Sequence, residues 1–156
     1  MDKWSNYFMD IAIRTAQLSK DRRAKVGAVI AGTSREILSV GYNGFPMGIN
    51  DEQVIRYESP TKYLFTEHAE RNAIYHGARR GISLENTTLY TTLFPCADCA
   101  RAIIQVGIRE VCFMDGFNAL KGPQWVESFK ASREMLEEAD IQIVQFEISK
   151  GDLYVS

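Results

Sequence analysis

Thr87-Thr88-Leu89-Tyr90-Thr91-Thr92-Leu93-Phe94-Pro95-Cys96-Ala97-Asp98-Cys99 carries the chain out of one kind of structure and into another. Thr87 to Leu93 is rich in β-branched and aromatic side chains and reads as a strand. From Pro95 to about Val106 the pattern is that of a helix. Pro95 suits a first helical position, because its missing N–H needs no partner there. Cys96 and Cys99 stand three apart, so on a helix they share a face. Both sulfurs then fall in the first turn, where the positive end of the helix dipole favours thiolate and a metal favours it further.

Working outward, the next informative segment is His68-Ala69-Glu70, which brings one imidazole and one carboxylate. The chain has three cysteines and two histidines, and His68, Cys96 and Cys99 form the obvious metal trio. Zinc is commonly four-coordinate with nitrogen and sulfur ligands, and three protein ligands leave one position open for water, as in catalytic sites. Glu70 is best left off the metal, because two thiolates already neutralise Zn²⁺. Beside the open position it can take a proton from water and pass it on. A lone C-x-x-C also fits a redox pair or half a zinc knuckle. The redox reading leaves His68 and Glu70 unexplained. A knuckle needs a further ligand at a suitable spacing, and His76, eight residues past His68, is not in one. His76 reads as a helix-surface or packing-edge residue, and Cys112, in Glu110 to Met114, as a buried strand residue.

The rest of the chain alternates. Trp4, Tyr7, Phe8, Ile11, Thr15 and Leu18 recur at helical spacing. Lys25 to Ala31 and Glu36 to Tyr42 read as an antiparallel hairpin around Gly32-Thr33-Ser34-Arg35. Residues 44–66 form a long connection, and its Tyr57, Tyr63 and Phe65 predict one wall of a pocket. A helix follows from His68 to about Arg80, and a strand covers Glu110 to Met114. Another helix covers about Pro123 to Ala139, with Trp125, Phe129 and Leu136 on one face, and a last strand covers Ile141 to Phe146. Strands three to five are joined by helices, so parallel pairing with right-handed crossovers is expected. The fold class predicted is a three-layer α/β/α domain with a five-stranded mixed sheet. Residues 1–156 form one domain, and both ligand segments fall at helix N-termini near one edge of the sheet.

The 156 residues are 46% hydrophobic and 24% charged, ordinary for a soluble globular domain. A net charge of −2 offers no basic surplus for a nucleic-acid duplex, though a small anion needs only a local cluster. No apolar run reaches membrane-spanning length, and Met1-Asp2-Lys3-Trp4 does not read as a secretory signal. Three cysteines, two of them claimed by metal, predict a reducing cytoplasm.

With these residues placed, the chain resembles the cytidine and deoxycytidylate deaminase superfamily, whose H-x-E…P-C-x-x-C pattern is known for zinc-dependent nucleobase deaminases. The resemblance runs from about Ser19 to Asp115. It rests on Ser19-Lys20-Asp21, on Lys25 to Ile30, on Gly41-Tyr42-Asn43-Gly44-Phe45-Pro46-Met47-Gly48, on His68 to Ile74 and on Leu93 to Ala100. The G-Y-N-G-F-P-x-G segment narrows it to the deoxycytidylate branch. The resemblance implies a zinc-dependent hydrolase acting on a cyclic amidine C–N bond, converting dCMP to dUMP and ammonia. It also implies one catalytic Zn²⁺ per chain on His68, Cys96 and Cys99, with Glu70 as proton shuttle. Asn43 matches the residue that holds the sugar, the backbone of Ala69 and Phe94 would contact the base, and Lys25 is the candidate phosphate neighbour. Asn43 as a turn residue and Lys25 as an exposed strand-start residue remain the structural alternatives. A small-molecule nucleotide substrate and a homo-oligomer, hexamer or dimer, are the partners implied.

Three features depart from the family pattern. Arg22-Arg23 replaces a Pro-containing turn, Glu67 precedes His68 where many relatives carry an apolar residue, and Asp51 to Thr66 lacks ligands for a second zinc. The first two leave open another free nucleoside, nucleobase or amino-heterocycle as substrate. The editing of tRNA or single-stranded nucleic acid is disfavoured by the acidic balance. A binding module that kept only the fold is disfavoured by the intact Glu70.

Overall fold

The computed structural model describes residues 2–115 and 123–146. Helix α1 (Lys3–Ala16) starts where the Asp2 carboxylate accepts the amides of Trp4 at 3.1 Å and Ser5 at 2.9 Å. Strands β1 (Gly27–Ala31) and β2 (Ile37–Tyr42) form the expected antiparallel hairpin, with Val29 opposite Val40. The 44–66 connection holds a 3₁₀ turn (Val54–Tyr57) and a one-turn helix α2 (Lys62–Phe65). Then come α3 (Ala69–Arg79), β3 (Thr88–Leu93), α4 (Ala97–Gln105), β4 (Glu110–Asp115), α5 (Pro123–Glu138) and β5 (Gln142–Gln145).

The five strands make one mixed sheet in the order β2-β1-β3-β4-β5. The β1–β3 pair is antiparallel, whereas β3–β4 and β4–β5 are parallel, as helical connections require. Successive strand residues point to opposite faces. Ala28, Ile30, Leu89, Val111 and Phe113 pack on one side against Ala73 of α3, Ile103 of α4 and Phe129 and Leu136 of α5. Val29, Ala31, Tyr90 and Cys112 pack on the other against Phe8, Met9 and Ala12 of α1. Three layers and two cores result, and Cys112 is buried in strand β4 as its sequence context predicts.

Two glycines set the distance between layers. A Cβ on Gly27 would lie 2.0 Å from the Ala12 carbonyl oxygen, so only glycine lets α1 approach β1 this closely. A Cβ on Gly41 would lie 2.4 Å from both the Ala69 oxygen and the Ala73 nitrogen of α3. Helix α3 also caps the edge strand: Asn72 Nδ2 donates to the Tyr42 carbonyl at 2.8 Å, and His76 Nδ1 lies 2.7 Å from the Val40 carbonyl. A carbonyl only accepts, so that ring nitrogen carries the proton. His76 is thus a packing-edge residue.

Helix α4 begins two residues later than the sequence predicts. Pro95 lies outside it, and Cys96 is the N-cap, extended at φ −74° and ψ 173°. A helical Cys96 would carry its sulfur on the helix face; the extended conformation frees it to turn toward His68. The capping interaction that Cys96 does not supply comes from α5, where Ser128 Oγ accepts the Ala97 amide at 3.0 Å.

Candidate active site

Two helix starts converge at the C-terminal end of β3. His68 is the N-cap of α3, extended at φ −80° and ψ 154°, and Cys96 is the N-cap of α4. Neither side chain caps its own helix. They turn instead toward each other, and His68 Nδ1 lies 3.4 Å from Cys96 Sγ and 3.5 Å from Cys99 Sγ. Zinc held at about 2.3 Å from sulfur and about 2.0–2.1 Å from nitrogen in a tetrahedron separates S and N by about 3.5 Å. The trio therefore fits a zinc ion, with Nδ1 as the histidine ligand atom. Among the described residues, this is the one group of three or more His, Cys, Asp or Glu side chains close enough to hold a metal. Cys96 is driven toward thiolate: a hydrogen bond from Cys99 outweighs burial, His68 adds to it, and the pKa falls to about 4. The proton of the pair stays on Cys99, whose thiol is pushed up by Cys96 and by burial.

Glu70 stands beside this trio without joining it. It is 3% exposed, and its Oε2 lies 3.6 Å from Cys99 Sγ. Burial raises its pKa above the usual carboxylate range, opposed by His68 and reinforced by Cys96. Such a carboxyl holds a proton more readily than an exposed one, which suits a residue that accepts and returns protons. Glu67, the residue that departs from the family pattern, has a local task. Its Oε1 accepts the His68 amide at 2.9 Å and Arg71 Nε at 2.6 Å, fixing the entry into α3.

A cavity of about 530 Å³ opens over the trio. Ala69, Glu70 and Phe94 line its floor with His68 and Cys96. Asn43 also lines it, 7% exposed, and both ends of its side chain are bonded: Oδ1 accepts the Val26 amide at 2.8 Å, and Nδ2 donates to the Ala24 carbonyl at 2.8 Å. Asn43 thus holds the segment before β1 against the site. Lys25 is exposed and is not among the lining residues, whereas Ala24 and Val26 on either side of it are. Lys25 lies in the irregular segment before β1, which begins at Gly27.

Three other cations line the cavity: Arg23, Lys62 and Arg71. Arg71 is committed to Glu67, and Lys62 to Asp21 at 2.7 Å. Arg23 has no carboxylate partner among the described residues; its Nη1 reaches only Ser59 Oγ, at 3.4 Å. Of the connection's aromatics, Tyr63 lines the cavity, whereas Tyr57 and Phe65 pack on Phe45, with ring centroids 4.6 and 5.9 Å away. The rings of Tyr63 and His68 both lie near Trp125, at 6.5 and 6.3 Å. Trp125 therefore faces the site as well as the core, which helical periodicity alone did not reveal. Arg23 drew notice only as a departure, and Asp21 and Lys62 carried no assigned role. Contacts across 41 residues leave no signal in local spacing.

The comparisons agree with this geometry. Residues 2–115 match the family model for the cytidine and deoxycytidylate deaminase zinc-binding region. A deoxycytidylate deaminase of Pongo abelii is 41% identical over 117 residues, covering 72% of this chain and 65% of that protein. The chain thus spans about two thirds of the length of that relative. An uncharacterised deaminase of Aliivibrio fischeri is 37% identical over 92% of this chain and 93% of its own. The crystal structure of dCMP deaminase from the cyanophage S-TIM5, in complex with dCMP and dUMP, superposes with a TM-score of 0.76 at 25% identity, over 94% of this chain and 99% of that one. With its zinc-ligand trio, its adjoining carboxylate and a matching domain over most of its length, the chain belongs to the cytidine and deoxycytidylate deaminase family.

Proposed function

We propose that this chain converts dCMP to dUMP and ammonia by zinc-dependent hydrolysis. The observation that carries the reading is one cavity lined both by His68 and Cys96 of the metal trio with Glu70 and by an arginine that has no carboxylate partner among the described residues. Zinc bound by His68, Cys96 and Cys99 supplies Lewis acidity that makes a water nucleophilic at neutral pH. Glu70 would carry both protons of that water in turn, the first to the ring nitrogen of cytosine as the oxygen adds to the amino-bearing carbon, the second to the amino group, which leaves as ammonia as the carbonyl forms. The backbone of Ala69 and Phe94 orients the base, and Asn43 lines the sugar pocket while holding residues 24–26 in place. Arg23, rather than Lys25, is the cation that meets the 5′-phosphate. Its fork of donors suits a phosphate, and Lys62 and Arg71 already face carboxylates.

The proposed working form is a homo-oligomer, a dimer or hexamer. Exposed Leu64 at 84% and Met47 at 70% on the 44–66 connection support it. The proposed compartment is the cytoplasm, where Cys96, Cys99 and Cys112 stay reduced, as they are here. No helix among the described residues is long and apolar enough to cross a membrane.

Ammonia release from dCMP, dCTP, deoxycytidine, CMP and guanine, measured side by side, tests the reading. dCMP is expected to give the highest kcat/KM. Release from guanine or deoxycytidine in preference to dCMP moves the substrate to another free amino-heterocycle or nucleoside and leaves the family unchanged. No release from any of the five argues for a binding role.

A further inference from the structure

Residues 19–24 and the 44–66 connection meet beside the cavity, and one side chain joins them. Asp21 is 6% exposed, and its two carboxylate oxygens have different partners. Oδ1 accepts the amides of Arg23 at 2.8 Å and Ala24 at 3.2 Å, folding the chain so that both residues line the cavity. Oδ2 accepts Lys62 Nζ at 2.7 Å, in a pair whose side chains are 8% and 12% exposed. Lys62 opens α2, and the next residue, Tyr63, lines the cavity beside Trp125. Behind Asp21, Ser19 Oγ donates to the Asn43 carbonyl at 2.7 Å and accepts the Asp21 amide at 3.2 Å. The neighbouring Lys20 reaches Asp51 at 2.8 Å, but that pair is exposed and adds little.

A buried ion pair gives little net stability, because desolvating both charges offsets their attraction. What it supplies here is geometry. Burial alone would raise the Asp21 pKa; the Lys62 ammonium and the amides of Arg23 and Ala24 outweigh it and keep the carboxyl below its usual value. We infer that Asp21 is a positioning residue for the proposed reaction: it fixes Arg23 and the Lys62–Tyr63 turn on one cavity and so sets the binding of the substrate's anionic end. This rests on the dCMP reading above.

The two oxygens can be tested apart. Asp21→Asn keeps an acceptor for the Arg23 and Ala24 amides but loses the charge facing Lys62. Lys62→Met loses the same pair from the other side. Asp21→Ala loses both functions. With the zinc-loaded full chain and dCMP, KM is expected to rise about tenfold in Asp21→Asn and in Lys62→Met, and about a hundredfold in Asp21→Ala, with kcat within about threefold throughout. The double variant Asp21→Asn/Lys62→Met is expected to be no worse than either single one, because both remove one interaction. A purely structural Asp21 would lower Tm and leave KM within about twofold wherever the variant is folded, and that result overturns the assignment. If Asp21→Ala does not fold, an unchanged KM in folded Lys62→Met overturns it equally. Absence of dCMP turnover in the unaltered protein would instead overturn the functional reading, and this assignment with it.

Discussion

Gly41→Ala is a one-methyl change with a large expected effect. Its Cβ would sit 2.4 Å from the Ala69 oxygen and 2.4 Å from the Ala73 nitrogen, where ordinary contact begins at 3.4 Å. Both obstacles are backbone, so no side chain can swing aside, and α3 must recede by about 1 Å. Alanine would otherwise help, since replacing glycine at an accessible conformation stabilises by about 0.4–1 kcal/mol. The overlap costs more, about 1–3 kcal/mol for forced overpacking. Net destabilisation of about 1–2 kcal/mol corresponds to a Tm lower by roughly 2–8 °C for a chain of this size. The chemistry suffers further, because α3 carries His68 and Glu70 at the end that must move. A displacement of about 1 Å costs on the order of a hundredfold in rate. The assay is Tm, zinc per chain and kcat/KM for dCMP, with Gly44→Ala as contrast. There the nearest atom is the rotatable Tyr42 ring at 3.3 Å, and little change is expected. A Gly41→Ala protein with unchanged Tm and near-normal activity would refute the argument that this glycine sets the position of the site.

Cys96→Ser or Cys99→Ser should lower zinc content and soluble yield together, since metal binding is coupled to folding; full zinc retention in both, by elemental analysis, removes them as ligands. Glu70→Gln should keep zinc and fold, yet lose at least about a thousandfold in turnover, because one residue serves more than one proton transfer, each worth about 10²–10⁴-fold; near-normal turnover with zinc bound rules out the shuttle. Burial raises the Tyr90 pKa to about 12, with a hydrogen bond from Ser5 opposing it. The folded state then keeps a proton that the unfolded chain gives up near pH 10, so this stability is full below pH 10 and lost as pH rises toward 12. Tyr90→Phe should flatten that alkaline decline in Tm relative to the unaltered protein, and equal slopes would count against it.

How much of this was legible beforehand depends on the range of the interaction. Ligand chemistry is short-range and type-specific, so His68, Cys96, Cys99 and Glu70 stood out by residue type and spacing, and the structure brings them together. Strand and helix periods fixed the order of elements for similar reasons. The start of α4 was misplaced because Pro95 is a good first helical residue, while the metal geometry demands an extended Cys96. Lys25 is pointed to by the family pattern, and only the folded arrangement of the segment before β1 decides that Ala24 and Val26 line the cavity instead. The link from Asp21 to Lys62, like the aim of Trp125 toward His68, is tertiary and had no local trace.

The caps that α3 places on β2 bear on how copies of this protein can meet. Asn72 and His76 are four residues apart on the helix, a rise of about 6 Å, while Tyr42 and Val40 are two apart on the strand, about 6.6–6.8 Å. The two rulers nearly agree, so one helix face serves two successive carbonyls of the outermost strand. A foreign strand that sought to extend the sheet there would first have to displace both side chains. Assembly through this margin is therefore steered away from continuous sheet and toward side-chain contacts, and the same barrier guards a bare strand edge against runaway polymerisation.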